Sequence, residues 1–442
     1  VLAILRRESV GWREVLARRR RPLLAVAAAL AVALLGAASW RLAAKPSLAS
    51  VAADGAFGAR GVDRSGRILW RRPDLDPARC AAAGRFRKDG PVEVAAILER
   101  EAYERAPERV YTLSFLEAAT GRVARTAALA PELNGFPVNE RRFAVTTMKA
   151  ADTDGDGLDE VFVSYFHSWA PSFVLMWNPA DGRSRMTFTG GGHHRLVDAA
   201  DVDGDRRKEM LLLGINSPFG WYRAFAVARL WERDPRDASP RITPFGTFSA
   251  DQAGAGSDSN LIDYVLLPRG IFSEDSRELR AVDGTSFALD YGNGRTVRID
   301  LGGCGLLSPS ESLDCRALRR SRMSAYANLR EGLRRGRAGV ADEAVESFDA
   351  AERDARSARD PILLELVRRW RGMTLLLHGN AREGAAVLAE LVRVSENALE
   401  IADDAGRELH KAGRLPEAIA WYSRALERAG AEHTGRSVTY PR

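Results

Sequence analysis

Asp152-Thr-Asp-Gly-Asp-Gly-Leu-Asp-Glu160 is the stretch on which the fold of this chain turns. Its carboxylates Asp152, Asp154 and Asp156 stand at alternate positions. Gly157 admits a sharp turn, and Glu160 closes the loop before Val161-Phe-Val-Ser-Tyr165, which reads as a strand. Oxygen donors at the first, third, fifth and ninth positions, with the backbone carbonyl of Leu158 at the seventh, suit a hard cation that takes about six to eight oxygens. An EF-hand needs a bidentate Glu at the twelfth position, where this chain has the apolar Val163, and it continues into a helix. The expectation is a structural Ca2+ clip between two strands. The bland alternative is an acidic, solvated turn.

Asp201-Val-Asp-Gly-Asp-Arg-Arg-Lys-Glu209 repeats the pattern before Met210-Leu-Leu-Leu213. Asp201, Asp203, Asp205 and Glu209 fall at the ligand positions, the Arg207 carbonyl at the seventh, and Arg206 replaces the glycine. A decayed copy, Arg85-Phe-Arg-Lys-Asp-Gly-Pro-Val-Glu93, keeps Asp89, Gly90 and Glu93, with Arg85 and Arg87 at the first two carboxylate positions. Guanidinium groups cannot ligate a cation, but they can pair with Asp89 and Glu93 and hold the turn without one. Three matches in one register make a repeat.

On these residues the chain resembles the FG-GAP/VCBS repeats of integrin-type β-propellers, over roughly residues 51–306. The resemblance implies an all-β propeller-like domain with calcium loops between blade strands, and a binding platform outside the cytosol. It supplies no ligand. Turns such as Ser65-Gly66, Thr120-Gly121, Asp181-Gly182 and Asn293-Gly294 fit blade hairpins, because Gly accepts positive φ. Four or five units fit the length, and propellers typically have about four to eight blades.

A second architecture begins after Cys315. Gly332, Gly339, Ala344, Phe348 and Ala351 lie at offsets 0, +7, +12, +16 and +19. Gly372, Gly379, Gly384, Leu388 and Leu391 repeat those offsets, as do Gly406, Gly413, Ala418, Tyr422 and Ala425. The third set starts 34 residues after the second, the period of a helix pair. Small residues serve where helices approach closely, and large apolar ones fill the space between neighbours. The stretch from Glu408 to Leu426 resembles a tetratricopeptide (TPR) unit, which implies an all-α solenoid whose groove takes an extended peptide or a partner's tail.

The 442 residues, 45% hydrophobic and 28% charged, describe folded protein of more than one domain. The net charge of +6 comes from the front. Residues 1–45 hold nine basic against two acidic residues, and the remainder is nearly neutral, so no nucleic-acid partner is expected. Arg18-Arg-Arg-Arg21 precedes an uncharged run, Leu23 to Trp40, long enough to cross a hydrocarbon core of roughly 30 Å. The arginines put the N-terminus in the cytoplasm. The expected layout is a cytoplasmic basic segment (1–22), one transmembrane helix (23–40), a linker (41–60), the propeller-like domain (61–303), a junction (304–316), TPR-like repeats (317–430) and a tail (431–442). A cleaved signal peptide is the alternative to the span. The first residue is Val, and the basic lead is similar to the juxtamembrane region of bacterial receptor-like Ser/Thr kinases, although no kinase motif is present.

Cys304 and Cys315 flank the junction and would close a short loop if oxidised, whereas Cys80 reads as a buried small residue. His193-His194 after Gly190 to Gly192 read as a loop before a strand. No metalloprotease, nucleophile-elbow or phosphate-loop motif occurs. The functional expectation is therefore a membrane-anchored binding or scaffold protein for protein, peptide or glycan partners. The alternative is a propeller hydrolase or lyase with an axial active site.

Overall fold

The computed structural model describes residue 30 and residues 47–433, apart from 55–57, 78, 99–111, 130–142, 168–171, 191, 203–204, 217–221, 231–260, 268–278, 284–285, 292–294, 301–314 and 396. Among the described residues eighteen strands form five antiparallel sheets in chain order. The first sheet is β1 (Leu48–Ala53), β2 (Ala59–Asp63) and β3 (Ile68–Arg72). The second is β4 (Ala81–Gly84), β5 (Glu93–Ala96), β6 (Thr112–Glu117) and β7 (Val123–Ala128). The third is β8 (Phe143–Ala151), β9 (Glu160–His167), β10 (Ser172–Trp177) and β11 (Ser184–Gly190). The fourth is β12 (His193–Ala200), β13 (Glu209–Asn216), β14 (Tyr222–Ala228) and β15 (Leu261–Leu266). The fifth is β16 (Leu279–Asp283), β17 (Ser286–Tyr291) and β18 (Arg295–Asp300). Each strand pairs only with its sequence neighbours, so every sheet is a meander.

The sheets stack face to face, and strand alternation shows how. Val161, Val163 and Tyr165 of β9 join Val94 and Phe115 of the second sheet, while Phe162 between them joins Met210 and Leu212 of the fourth. A strand buried on both faces in this way reads as a continuous apolar run. The first strand of the fourth sheet, β12, leans on the third sheet. Its backbone amides at His194 and Leu196 donate to Ser172 Oγ and Ser164 Oγ (2.9 Å each), and Leu196 O accepts from Thr147 Oγ1 (2.9 Å). Those hydroxyls, of which Ser164 and Ser172 are fully buried, satisfy an edge that has no strand beside it among the described residues.

Six helices follow: α1 (Cys315–Arg337), α2 (Ala341–Ser357), α3 (Pro361–His378), α4 (Ala381–Val394), α5 (Ala398–Lys411) and α6 (Leu415–His433). They form three hairpins with one recurring contact. A Cβ added at Gly332 would lie 2.8 Å from the Phe348 ring, at Gly372 3.0 Å from Leu388, and at Gly406 2.8 Å from the Tyr422 ring. Gly339 (φ +78°) and Gly413 (φ +74°) turn the chain after the first helix of two hairpins. Asp360 starts α3 by accepting from the Leu363 amide (2.9 Å), with Pro361 at the first helical position.

Two expectations about the fold are corrected. Among the described residues the sheets do not close into a propeller: they pack in chain order, and the fifth shares neither a core nor an extensive contact with the first. Tyr264 on β15 meets Tyr326 on α1 edge-on at 5.5 Å, and the helices share a core with the third and fourth sheets. The single-pass membrane protein with a cytoplasmic N-terminus is the second correction. Among the described residues no helix is long and apolar enough to cross a membrane. The run Leu23 to Trp40 lies outside them except for residue 30, so the span, the lipid partner and the periplasmic or extracellular placement are not carried forward. Cys304 also lies outside the described residues, as does the side chain of Cys315, while Cys80 is buried.

Candidate metal centre and the loops around it

Loop 152–160 joins β8 to β9, and its own backbone shapes it. Asp152 accepts from the amides of Gly155 (Oδ1, 2.7 Å) and Gly157 (Oδ2, 3.1 Å). Asp154 accepts from Asp156 (3.1 Å), and Asp156 from Leu158 (2.7 Å). Gly155 (φ +81°) and Gly157 (φ +84°) take the left-handed conformation that this winding requires. A carboxylate oxygen from each of Asp152, Asp154 and Asp156 lies within 4.8 Å of the others, two of these residues being exposed. Three like charges that close repel one another unless a cation or solvent screens them.

Glu160 behaves differently from an exposed ligand. It is 1% exposed, and its Oε2 accepts from the Thr153 amide (2.9 Å) and hydroxyl (2.5 Å). Its Oε1 is buried with no hydrogen-bond partner. Burial pushes the carboxyl above its usual range against the pull of Thr153, and the nearby charge of Asp154 pushes it further. One oxygen thus staples the loop, and Glu160 stands outside the cluster that Asp152, Asp154 and Asp156 form. The donor set, all carboxylate, suits a hard divalent ion without singling out calcium.

Loop 201–209 repeats three of these bonds in register. Val202 N donates to Glu209 Oε2 (2.9 Å), Arg206 N to Asp201 Oδ2 (2.9 Å) and Arg207 N to Asp205 Oδ1 (2.8 Å). Arg206 takes φ +73°, the conformation glycine has in the first loop, so the winding survives the substitution. Asp203 lies outside the described residues.

The decayed loop is held by arginine. Arg87 meets Glu93 at 3.0 Å, and Arg125 from β7 meets the same carboxylate at 3.2 Å while stacking over Phe115 at 3.6 Å. Arg85 instead works through its backbone, donating from N to Asp159 Oδ2 (2.7 Å) and accepting at O from Asp159 N (2.8 Å). Lys208 N likewise donates to Thr153 O (3.3 Å), so the three loops form one bonded row. Thr153, Asp159 and Arg125 were not legible as members of this row. Arg125 has no signal at all in the local pattern.

His193 and His194 lie in β12, not in a loop before it. His194 is buried, with Nε2 3.1 Å from the Tyr264 hydroxyl, and burial beside His193 pushes its pKa down to about 3. The folded protein therefore keeps it neutral, while the unfolded chain takes up a proton below the ordinary value of 6.5. Stability is expected to fall as pH drops from 6.5 toward 3, by up to ~1.4 kcal/mol per pH unit. Urea titrations of His194→Gln across that window should give a shallower slope; an unchanged slope would refute the assignment.

No family model matches the chain, and no curated protein matches it either. Neither the FG-GAP/VCBS nor the TPR resemblance therefore becomes a family assignment, and a calcium-specific site is not supported.

Proposed function

We propose that this chain is a binding scaffold in which a hard divalent cation braces loop 152–160 and the helical hairpins offer a surface to a protein or peptide partner. The observation that carries the reading is the triad of Asp152, Asp154 and Asp156, whose carboxylate oxygens lie within 4.8 Å of one another at the end of two strands. An acidic turn without a ligand would hold three like charges this close with nothing but solvent to screen them. The cation has a bracing role here: Thr153 binds Glu160 on one side and Lys208 on the other, so ordering this loop orders its neighbour.

The test is thermal melting of the full chain in Ca2+, in Mg2+ and in chelator. A cation at about a hundred times its dissociation constant should stabilise by ~2.7 kcal/mol. Asp154→Ala and Asp156→Ala should each remove that gain while folding in chelator as the parent does. Identical melting curves with and without cation would reject the brace.

A further inference from the structure

The last helix carries an apolar stripe that nothing covers among the described residues. In α6, Leu415 is 51% exposed, Ile419 64% and Leu426 72%, with Tyr422 half-buried between them. Steps of four, three and four residues keep these side chains on one face of a helix. In the preceding hairpin the positions 34 residues earlier are Ala381, Ala385, Leu388 and Val392 of α4. Those pack in the cluster that α5 builds with Ile401 and Ala405. This face of the repeat is therefore one on which a helix docks, and on α6 it is bulkier while no helix lies over it.

We propose that α6 pairs with α6 of a second copy, antiparallel about a two-fold axis passing between Ala420 and Trp421. Two observations select a second copy of this chain. The spacing of the stripe, four, three and four, is the same in both directions, so Leu415 meets the partner's Leu426 and Ile419 meets the partner's Tyr422. That self-complementarity is what a two-fold interface requires. The other end of the helical arm is already occupied, because α1 packs on β15 through Tyr326 on Tyr264 and Arg322 on Asp263. Head-to-tail stacking is closed off, and association stops at two. Four side chains along ~16 Å of helix cover less than the ~800 Å² per partner of a tight complex. The pairing belongs to the weak, concentration-dependent class.

Sedimentation of the full chain at rising concentration should show the weight-average mass climbing toward twice the monomer's. Ile419→Lys should weaken association by at least about tenfold, roughly 1.4 kcal/mol, with unchanged circular dichroism because the residue is mostly exposed. Leu415→Glu and Leu426→Lys should each do the same alone. The doubly substituted chain should dimerise again, since each new carboxylate then faces the partner's new ammonium. A parent that stays monomeric throughout, single variants that dimerise like the parent, or a double variant that fails to recover would each overturn the proposal. So would a dimer that forms only after residues 434–442 are removed, which would make that segment the natural cover.

Discussion

Replacing Arg322 with Ala is expected to cost about 3–5 kcal/mol and to let the helices melt apart from the sheets. Arg322 is 2% exposed and stands between two elements far apart in sequence. Its Nη1 donates to both oxygens of Asp263 on β15 (2.6 and 2.8 Å), and its Nε lies 3.2 Å from Asp360, the residue that starts α3. Both carboxylates are almost fully enclosed. Burial holds Asp360 above the usual carboxylate range, and Arg322 pulls it back only in part. Removing the guanidinium leaves Asp360 without its cationic partner and Asp263 with only Arg319, at 3.8 Å. Asp263→Asn in the Arg322→Ala background should therefore recover part of the loss, a coupling that a double-mutant cycle reads directly. Differential scanning calorimetry should resolve one transition in the parent and two in Arg322→Ala. A single transition within about 1 kcal/mol of the parent would mean that apolar packing at Tyr264 and Tyr326 alone holds the arm.

This network also marks where sequence reasoning stops. Loop 152–160 was legible because its chemistry is local: alternate carboxylates and a glycine within nine residues determine the winding whatever surrounds it. The same holds for the helical hairpins, whose glycines recur at fixed distances from the large residue that fills the gap above them. Glu160 was legible as part of the loop but not in its divided role, because the stapling oxygen depends on Thr153 being buried with it. Arg322 has no local signature. Its partners lie 59 and 38 residues away, and an arginine-rich helix such as α1 reads as a solvated one until the sheet is laid against it. Ring closure failed for a related reason. Each meander is encoded by its own turns, but which sheet faces which is decided by side chains far apart in sequence, as where Tyr264 of β15 meets Tyr326 of α1. The membrane expectation rested on the length of an uncharged run behind four arginines, a run the described residues include only at residue 30.

Truncating the three equivalent large side chains should give losses that decline along the helical arm. Phe348 is fully buried over Gly332, in the same core as the sheets, and Phe348→Ala is expected to cost about 3–5 kcal/mol. Leu388 is equally buried over Gly372 but lies in the cluster of the second and third hairpins, and its truncation should cost about 2–4 kcal/mol. Tyr422 covers Gly406 at the free end and is only half-buried, so Tyr422→Ala should cost about 1–2 kcal/mol. Urea unfolding followed by far-ultraviolet circular dichroism gives the order. Equal losses at the three sites would mean that burial is not what distinguishes them. The contact itself is tested by adding a methyl group beneath the ring. Gly332→Ala places a Cβ 2.8 Å from the Phe348 ring, so in the parent the strain opposes the gain in helix propensity of ~1 kcal/mol. In Phe348→Ala the ring is gone and the same methyl group enters the cavity. Gly332→Ala should therefore be close to neutral or destabilising in the parent and stabilising in Phe348→Ala. That reversal arises only if the glycine is there to admit the ring.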